Sequence, residues 1–278
     1  MSSMPHPHMP GPQKIVLPGV KQTIAVASGK GGVGKSTVAA NLAMAFAMQG
    51  HKVGLMDADI YGPSVPMMMG LTTVDPQTTH FPLDKYGVKL MSMGFIVDPD
   101  KAVIWRGPMV HKAVTQFLQD IDWGQLDYLV IDLPPGTGDA QLTLTQTAPL
   151  TGAIIVTTPQ DMSLIDARKG LRMFEQVRVP VLGIVENMSY LICDQCGKRH
   201  EIFRHGGGER LAKELGVMFL GEIPLDPSVA VQGDAGDPIV HHAPKSPIAQ
   251  TYLALAKAVK EQVEKATKEA KELPGLEL

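Results

Sequence analysis

Cysteine is almost absent from this chain: two of 278 residues, Cys193 and Cys196, with two residues between them. An apolar run near the roughly 20 residues of a membrane span is missing altogether, which leaves no helical anchor and no expected membrane partner. Excess charge is missing as well. A net charge of −3 and a pI near 6.3 give no electrostatic footprint for nucleic acid. The opening stretch Met1 to Pro12 is proline-rich, yet it has neither the apolar segment of a secretion signal nor the arginines of a transit peptide. It is read as a flexible leader, with residues 1–20 left outside the fold. Met4, His6, His8 and Met9 in that leader could ligate a soft metal, but nothing fixes their geometry. With no export signal in view, a cytoplasmic protein is expected.

What is present is a phosphate cradle. Gly29-Lys-Gly-Gly-Val-Gly-Lys-Ser-Thr37 matches the pattern GxxxxGK[ST]. In such a loop Gly29, Gly31, Gly32, Val33, Gly34 and Thr37 turn backbone N–H groups toward the phosphates of ATP. Lys35 neutralises the β/γ end, and the Ser36 hydroxyl is placed for Mg²⁺. The apolar run Thr23 to Ala27 precedes the loop and the helix formers Val38 to Ala47 follow it, giving the strand, loop and helix N-terminus that phosphate binding needs. A second lysine, Lys30, follows the first glycine. One lysine serves the chain's own nucleotide, so the spare one points across a subunit boundary.

The same glycines also spell GxGxxG, with Asp57 about 20 residues on, as a dinucleotide-binding unit requires. That alternative has no need of Lys35-Ser36 and does not anticipate Leu129-Val-Ile-Asp132, an apolar strand ending in aspartate. A P-loop NTPase expects such an aspartate on a neighbouring strand, in the Mg²⁺ shell.

At 44% apolar the chain can bury a full core. Lys52–Met56, Tyr128–Ile131, Ala153–Thr157 and Val181–Val185 read as buried strands with helical stretches between several of them. The fold class is therefore α/β, a mostly parallel sheet with helices on both faces, in one domain over residues 21–273. Ligands in such sheets sit at the carboxyl ends of the strands, where the glycine loop, Asp57 and Asp132 all fall. A final helix is expected over residues 248–273, with Ile248, Tyr252, Leu255, Val259 and Val263 on one face. Its balanced lysines and glutamates favour packing over a membrane surface. Met67-Met-Met69 and Met91-Ser-Met93 fit either a pliable contact surface or the core.

The cysteine pair, in a metal-binding loop near residues 188–205, admits three chemistries. A thioredoxin-like dithiol wants a helix start, whereas Gly197-Lys-Arg-His200 reads as a knuckle. Zinc could be completed by His200 and His205, though Cys196 and His200 stand too close for the usual finger spacing. A shared metal is the third. An iron–sulfur cluster or a Cys₄ zinc wants four thiolates, and a two-fold axis beside this loop would supply the missing pair from a second subunit. Lys30 asks for the same homodimer.

The chain resembles the Mrp/ApbC family of P-loop ATPases, iron–sulfur cluster carriers related to MinD, ParA and the nitrogenase iron protein. The resemblance spans about residues 15–262. It is carried by residues 26–37, Asp57-Ala-Asp-Ile-Tyr-Gly-Pro-Ser64, Trp105-Arg-Gly-Pro108, Asp132-Leu-Pro-Pro-Gly-Thr-Gly-Asp139, Thr158-Pro-Gln160, Asn187-Met-Ser189 and the CxxC pair. It implies that Lys30 reaches the partner's nucleotide in an ATP sandwich dimer and that Asp59 is the switch I aspartate orienting the attacking water. It implies Asp57 as a Mg²⁺-shell or loop-positioning residue, Asp132 with Asp139 as switch II, and Asn187 as the reader of adenine. The implied function is a slowly hydrolysing ATPase that assembles a [4Fe–4S] cluster between Cys193 and Cys196 of two subunits and delivers it to apo-proteins. A MinD-like positioning switch with structural zinc is the alternative. Many relatives carry a small domain ahead of the P-loop, where this sequence has a Pro-rich leader, so that module's tasks are not expected.

Overall fold

The computed structural model describes residues 14–60, 62–71, 81–95 and 107–272. The leader's Met4, His6, His8 and Met9, and Tyr61, Trp105 and Arg106 of the family motifs, lie outside the described residues.

Among the described residues ten strands form in chain order: β1 (Val20–Ala27), β2 (Val53–Asp57), β3 (Leu83–Lys85), β4 (Val88–Ser92), β5 (Leu126–Asp132), β6 (Gly152–Thr157), β7 (Val181–Asn187), β8 (Leu191–Ile192), β9 (Arg199–His200) and β10 (Phe219–Ile223). Eight of them make one sheet in the order β10-β7-β6-β1-β5-β2-β4-β3; β8 and β9 pair separately. Every pairing in the large sheet is parallel except the three-residue rim strand β3, which runs antiparallel to β4. The opposite rim, β10, shifts register between Phe219 and Gly221. The alternation of helix and strand enforces this order, since parallel neighbours need crossover connections.

Both faces are covered, so the central strands are apolar on both sides. In β1, Ile24 and Val26 point to one core while Ala25 and Ala27 point to the other. The first core is closed by α1 (Lys35–Met48), α8 (Ile239–His242) and α9 (Pro247–Glu272), with α2 (Val65–Met68) and α7 (Pro227–Asp234) at its margin. Ile248, Tyr252, Leu255, Val259 and Val263 of α9 are buried there. Asn41 of α1 accepts the Val240 N–H at 3.2 Å, fastening α8 to the helix behind the phosphate loop. The second core lies under α3 (Gly107–Asp120), α4 (Asp139–Thr147), α5 (Asp161–Gln176) and α6 (Gly207–Leu215).

Two expectations are corrected or resolved here. Residues 14–20, assigned from sequence to the leader, belong to the fold: β1 begins at Val20, Ile15 and Leu17 are buried in the second core, and the Ile15 N–H donates to the Thr147 carbonyl at 2.9 Å. Burying two large aliphatic side chains outweighs the nearby prolines. Of the methionine clusters, Met69, Met91 and Met93 are core residues, and only Met67 is exposed.

Candidate nucleotide and cysteine sites

β1 ends at Ala27, β2 at Asp57 and β5 at Asp132. The parallel register sets Val26 beside Asp132 and Asp132 beside Asp57, so the strand ends deliver the loop and both carboxylates to one edge of the sheet. Gly34 adopts φ +78° as α1 begins, a left-handed turn that favours glycine. No side chain caps α1, which leaves its first N–H groups for an anion. Gly29 is required by close approach, because a Cβ there would collide with the Asp166 backbone of α5. Around Gly31 and Gly32, by contrast, the space is open, as a loop that must wrap phosphates requires.

Lys35 is buried, with Nζ 2.5 Å from Asp132 Oδ1 and 3.3 Å from Ser36 Oγ. Asp132 is wholly buried, and its Oδ2 has no hydrogen-bond partner among the described residues. An unpartnered buried carboxylate oxygen beside a hydroxyl suits a hard, oxygen-loving cation. Burial pushes the Asp132 pKa up, and the Lys35 ammonium pulls against it. Asp57 rises to about 7, because of burial first and the Asp132 charge second. It accepts from the Asp59 N–H at 3.1 Å, the Val65 N–H at 3.2 Å and Ser92 Oγ at 3.1 Å. Asp57 therefore ties the segment leading into α2 to β4, while Asp59 accepts the Gly62 N–H at 3.2 Å.

Asp139 is exposed in the first turn of α4. Lys30 is half-buried, and among the described residues no ion pair holds its ammonium group. Asn187, last in β7, donates Nδ2 to the Val33 carbonyl at 2.8 Å, and a Cβ on Gly34 would strike that amide. The loop, Lys35, Asp57, Asp132 and Asn187 thus converge, with Lys30 and Asp139 at the rim.

The chain leaves the sheet directly after Asn187. Met188 takes φ +55°, and the excursion that follows folds into the β8–β9 hairpin, with Leu191 opposite His200 and Ile192 opposite Arg199. Cys193 and Cys196 occupy its turn, closed by Cys193 N–H to Lys198 O at 2.9 Å and Gly197 N–H to Cys193 O at 2.8 Å. This is a knuckle and not a helix start. Both thiols are free, and Cys196 is exposed. The Cys196 backbone N–H, then that of Gln195, then the Cys196 thiol, lower the Cys193 pKa, which favours the thiolate that binds metals. His205 does not join the cysteines. It groups with Glu186 and Glu222, and that is the one set of three potential metal ligands among the described residues.

Sequence reasoning missed Ser92, whose hydroxyl steadies Asp57, and Glu186, a wholly buried acid near the end of β7. The second carried a signal: a lone carboxylate inside an apolar run needs dedicated partners.

The sequence profile of the NUBPL iron-transfer P-loop NTPase family matches residues 19–260. An iron-sulfur cluster carrier protein of Aquifex aeolicus (strain VF5) is 53% identical over 253 residues, covering 89% of this chain and 70% of that protein. Among solved structures, a nucleotide-binding protein of Archaeoglobus fulgidus in complex with ADP is 42% identical with a TM-score of 0.69, over 79% of this chain and 88% of that one. The cell division ATPase MinD of Pyrococcus furiosus is 22% identical with a TM-score of 0.65, over 86% of this chain and 98% of its own, and shares the fold alone. The high-identity relative bears the carrier name, whereas the likeness to MinD stops at the fold. On its glycine loop, its strand-end aspartates and these matches, the chain belongs to the NUBPL iron-transfer family of ParA-type P-loop NTPases.

Proposed function

We propose that the protein is an ATP-hydrolysing iron–sulfur cluster carrier that works as a homodimer in the cytoplasm. It holds a [4Fe–4S] cluster between Cys193 and Cys196 of both subunits and passes it to apo-proteins. The observation that carries this reading is the cysteine hairpin. Its two thiols are free on a turn whose amides favour thiolate, and it is rooted directly after the strand that touches the phosphate loop. Two soft ligands per chain suit a cluster shared across a two-fold axis.

ATP phosphates would lie on the N–H groups of Gly29, Lys30, Gly31, Gly32, Val33, Gly34 and Thr37, with Lys35 leaving Asp132 to meet the β/γ oxygens. Asn187 would hold the adenine. Mg²⁺ would be held by Ser36, Asp132 and Asp57 and would neutralise charge on the phosphates. Lys30 of each subunit would reach the other's nucleotide. Asp59 would orient the water that attacks the γ-phosphorus as the bond to ADP breaks, while Asp132 and Asp139 relay the loss of phosphate.

The test is metal analysis after anaerobic purification. Brown protein with about four iron and four sulfide per dimer is expected, and Cys193→Ser should be colourless with unchanged ATP affinity. Colourless wild-type protein with stoichiometric zinc would overturn the reading in favour of a switch with structural zinc.

A further inference from the structure

Glu186 lies one residue before Asn187, is wholly buried, and has no part in the chemistry above. Its carboxylate accepts three hydrogen bonds. Ser189 Oγ reaches Oε1 at 2.6 Å, the Gly206 N–H reaches the same oxygen at 3.2 Å, and the Gly208 N–H reaches Oε2 at 2.5 Å. Ser189 lies at the start of the excursion that carries the cysteines, and Gly206 closes it against α6. One side chain therefore clasps both roots of that loop. The fit is close: a Cβ on Gly208 would sit 3.1 Å from Glu186 Cβ and 3.2 Å from its Oε2.

The clasp rides on the strand that touches the phosphate loop, since Asn187 holds the Val33 carbonyl. Farther out, the Arg199 guanidinium bonds Glu222 Oε2 at 3.1 Å and His205 Nδ1 at 2.9 Å. It supplies positive charge beside the Glu186, His205 and Glu222 group and fastens β9 to β10. Other contacts also hold the excursion, among them the Ser189 N–H to the Ile223 carbonyl at 3.0 Å, the Leu225 N–H to the Tyr190 carbonyl at 2.7 Å and an Arg204–Asp161 ion pair, and the Glu186 carboxylate is bonded at both of its roots.

We infer that Glu186 is a positioning residue that passes the nucleotide state of the phosphate loop to Cys193 and Cys196. When phosphates draw the loop in, the Val33 carbonyl shifts and Asn187 follows. The end of β7 then carries the Glu186 carboxylate and both loop roots with it, altering how the thiols are presented. This inference rests on the proposed nucleotide site, but it is tested on cluster-free protein.

Cys193 and Cys196 are the only thiols in the chain, so iodoacetamide reports on them alone. In the wild type, Mg-ATP should change the alkylation rate by at least about fivefold, the low end of measured site-to-site coupling. Glu186→Gln puts an amide donor where the carboxylate only accepts. It should bind Mg-ATP within about twofold of the wild type and respond by less than about twofold. Ser189→Ala, which removes one root and spares the α6 end, should lose about half of the response and carries the test if Glu186→Gln fails to fold. A full response in either folded variant overturns the inference. So does a wild type that binds Mg-ATP with no change at its thiols, which leaves the nucleotide site standing. A wild type that binds no ATP sinks the nucleotide site and this inference together.

Discussion

The phosphate loop and the cysteine hairpin begin at the same edge of the sheet and are built in opposite ways. Lys35, Asp57 and Asp132 are buried, each faces another charged group of the set, and the register of three parallel strands fixes them. The hairpin has two residues per strand, an exposed Cys196 and a handful of fastenings. A site that must exclude water is set in the most over-determined part of the fold, where electrostatic interactions are strongest. A site whose cargo must be reached and handed on stands outside it, where small shifts cost little. On the proposed reading, the first borrows a cation from a second copy and the second borrows half of its ligands.

The sharpest way to break this contrast is Lys30→Ala. If the nucleotide site borrows that cation from a second copy, turnover should fall by at least about 10³-fold, as for other cations supplied in trans, while ATP affinity stays within about twofold. Steady-state hydrolysis and equilibrium binding measure the two arms, and normal turnover would make the nucleotide site self-sufficient.

Lys35→Ala should do less to the chemistry and more to binding. Loss of a charge-assisted contact predicts a drop in ATP affinity of roughly 10- to 100-fold, with iron content of the cysteine site retained. Calorimetry and iron analysis check it. If both properties fall together, the two regions are not separately built.

The smallest effect is on stability. Asp57 is raised to about 7 by burial and by Asp132, so between about pH 4 and about pH 7 the folded chain holds a proton that the unfolded chain has released. The stabilisation is complete below that window and lost as pH rises through it. Urea unfolding of metal-free, nucleotide-free protein should therefore show stability falling from about pH 4 to about pH 7, and Asp57→Asn should flatten the fall. No such change is expected from Cys193→Ser.

The architecture of the dry site was legible because its signals are local. An apolar run ending in a glycine loop or an aspartate names a strand end, and a parallel sheet brings such ends together. Thus Lys35, Asp57 and Asp132 meet as the spacing implied. What escaped depends on long-range packing. Ile15 and Leu17 sit among prolines that read as a leader, and only the second core reveals why they are held. The segment ahead of α3 gave no periodic signal, yet it contributes β4, whose Ser92 supports Asp57 across the sheet. Glu186 lay beside a recognised motif, but its three partners come from residues that converge only after the excursion closes on α6.

The two rims of the large sheet bear on how copies of this chain can meet. One rim is a three-residue antiparallel strand bearing Asp84 and Lys85, and the other is broken by the irregularity at Gly221. Neither is a long, flat template that could recruit a strand from a neighbour. Ladder-to-ladder growth into fibres is discouraged at both described rims.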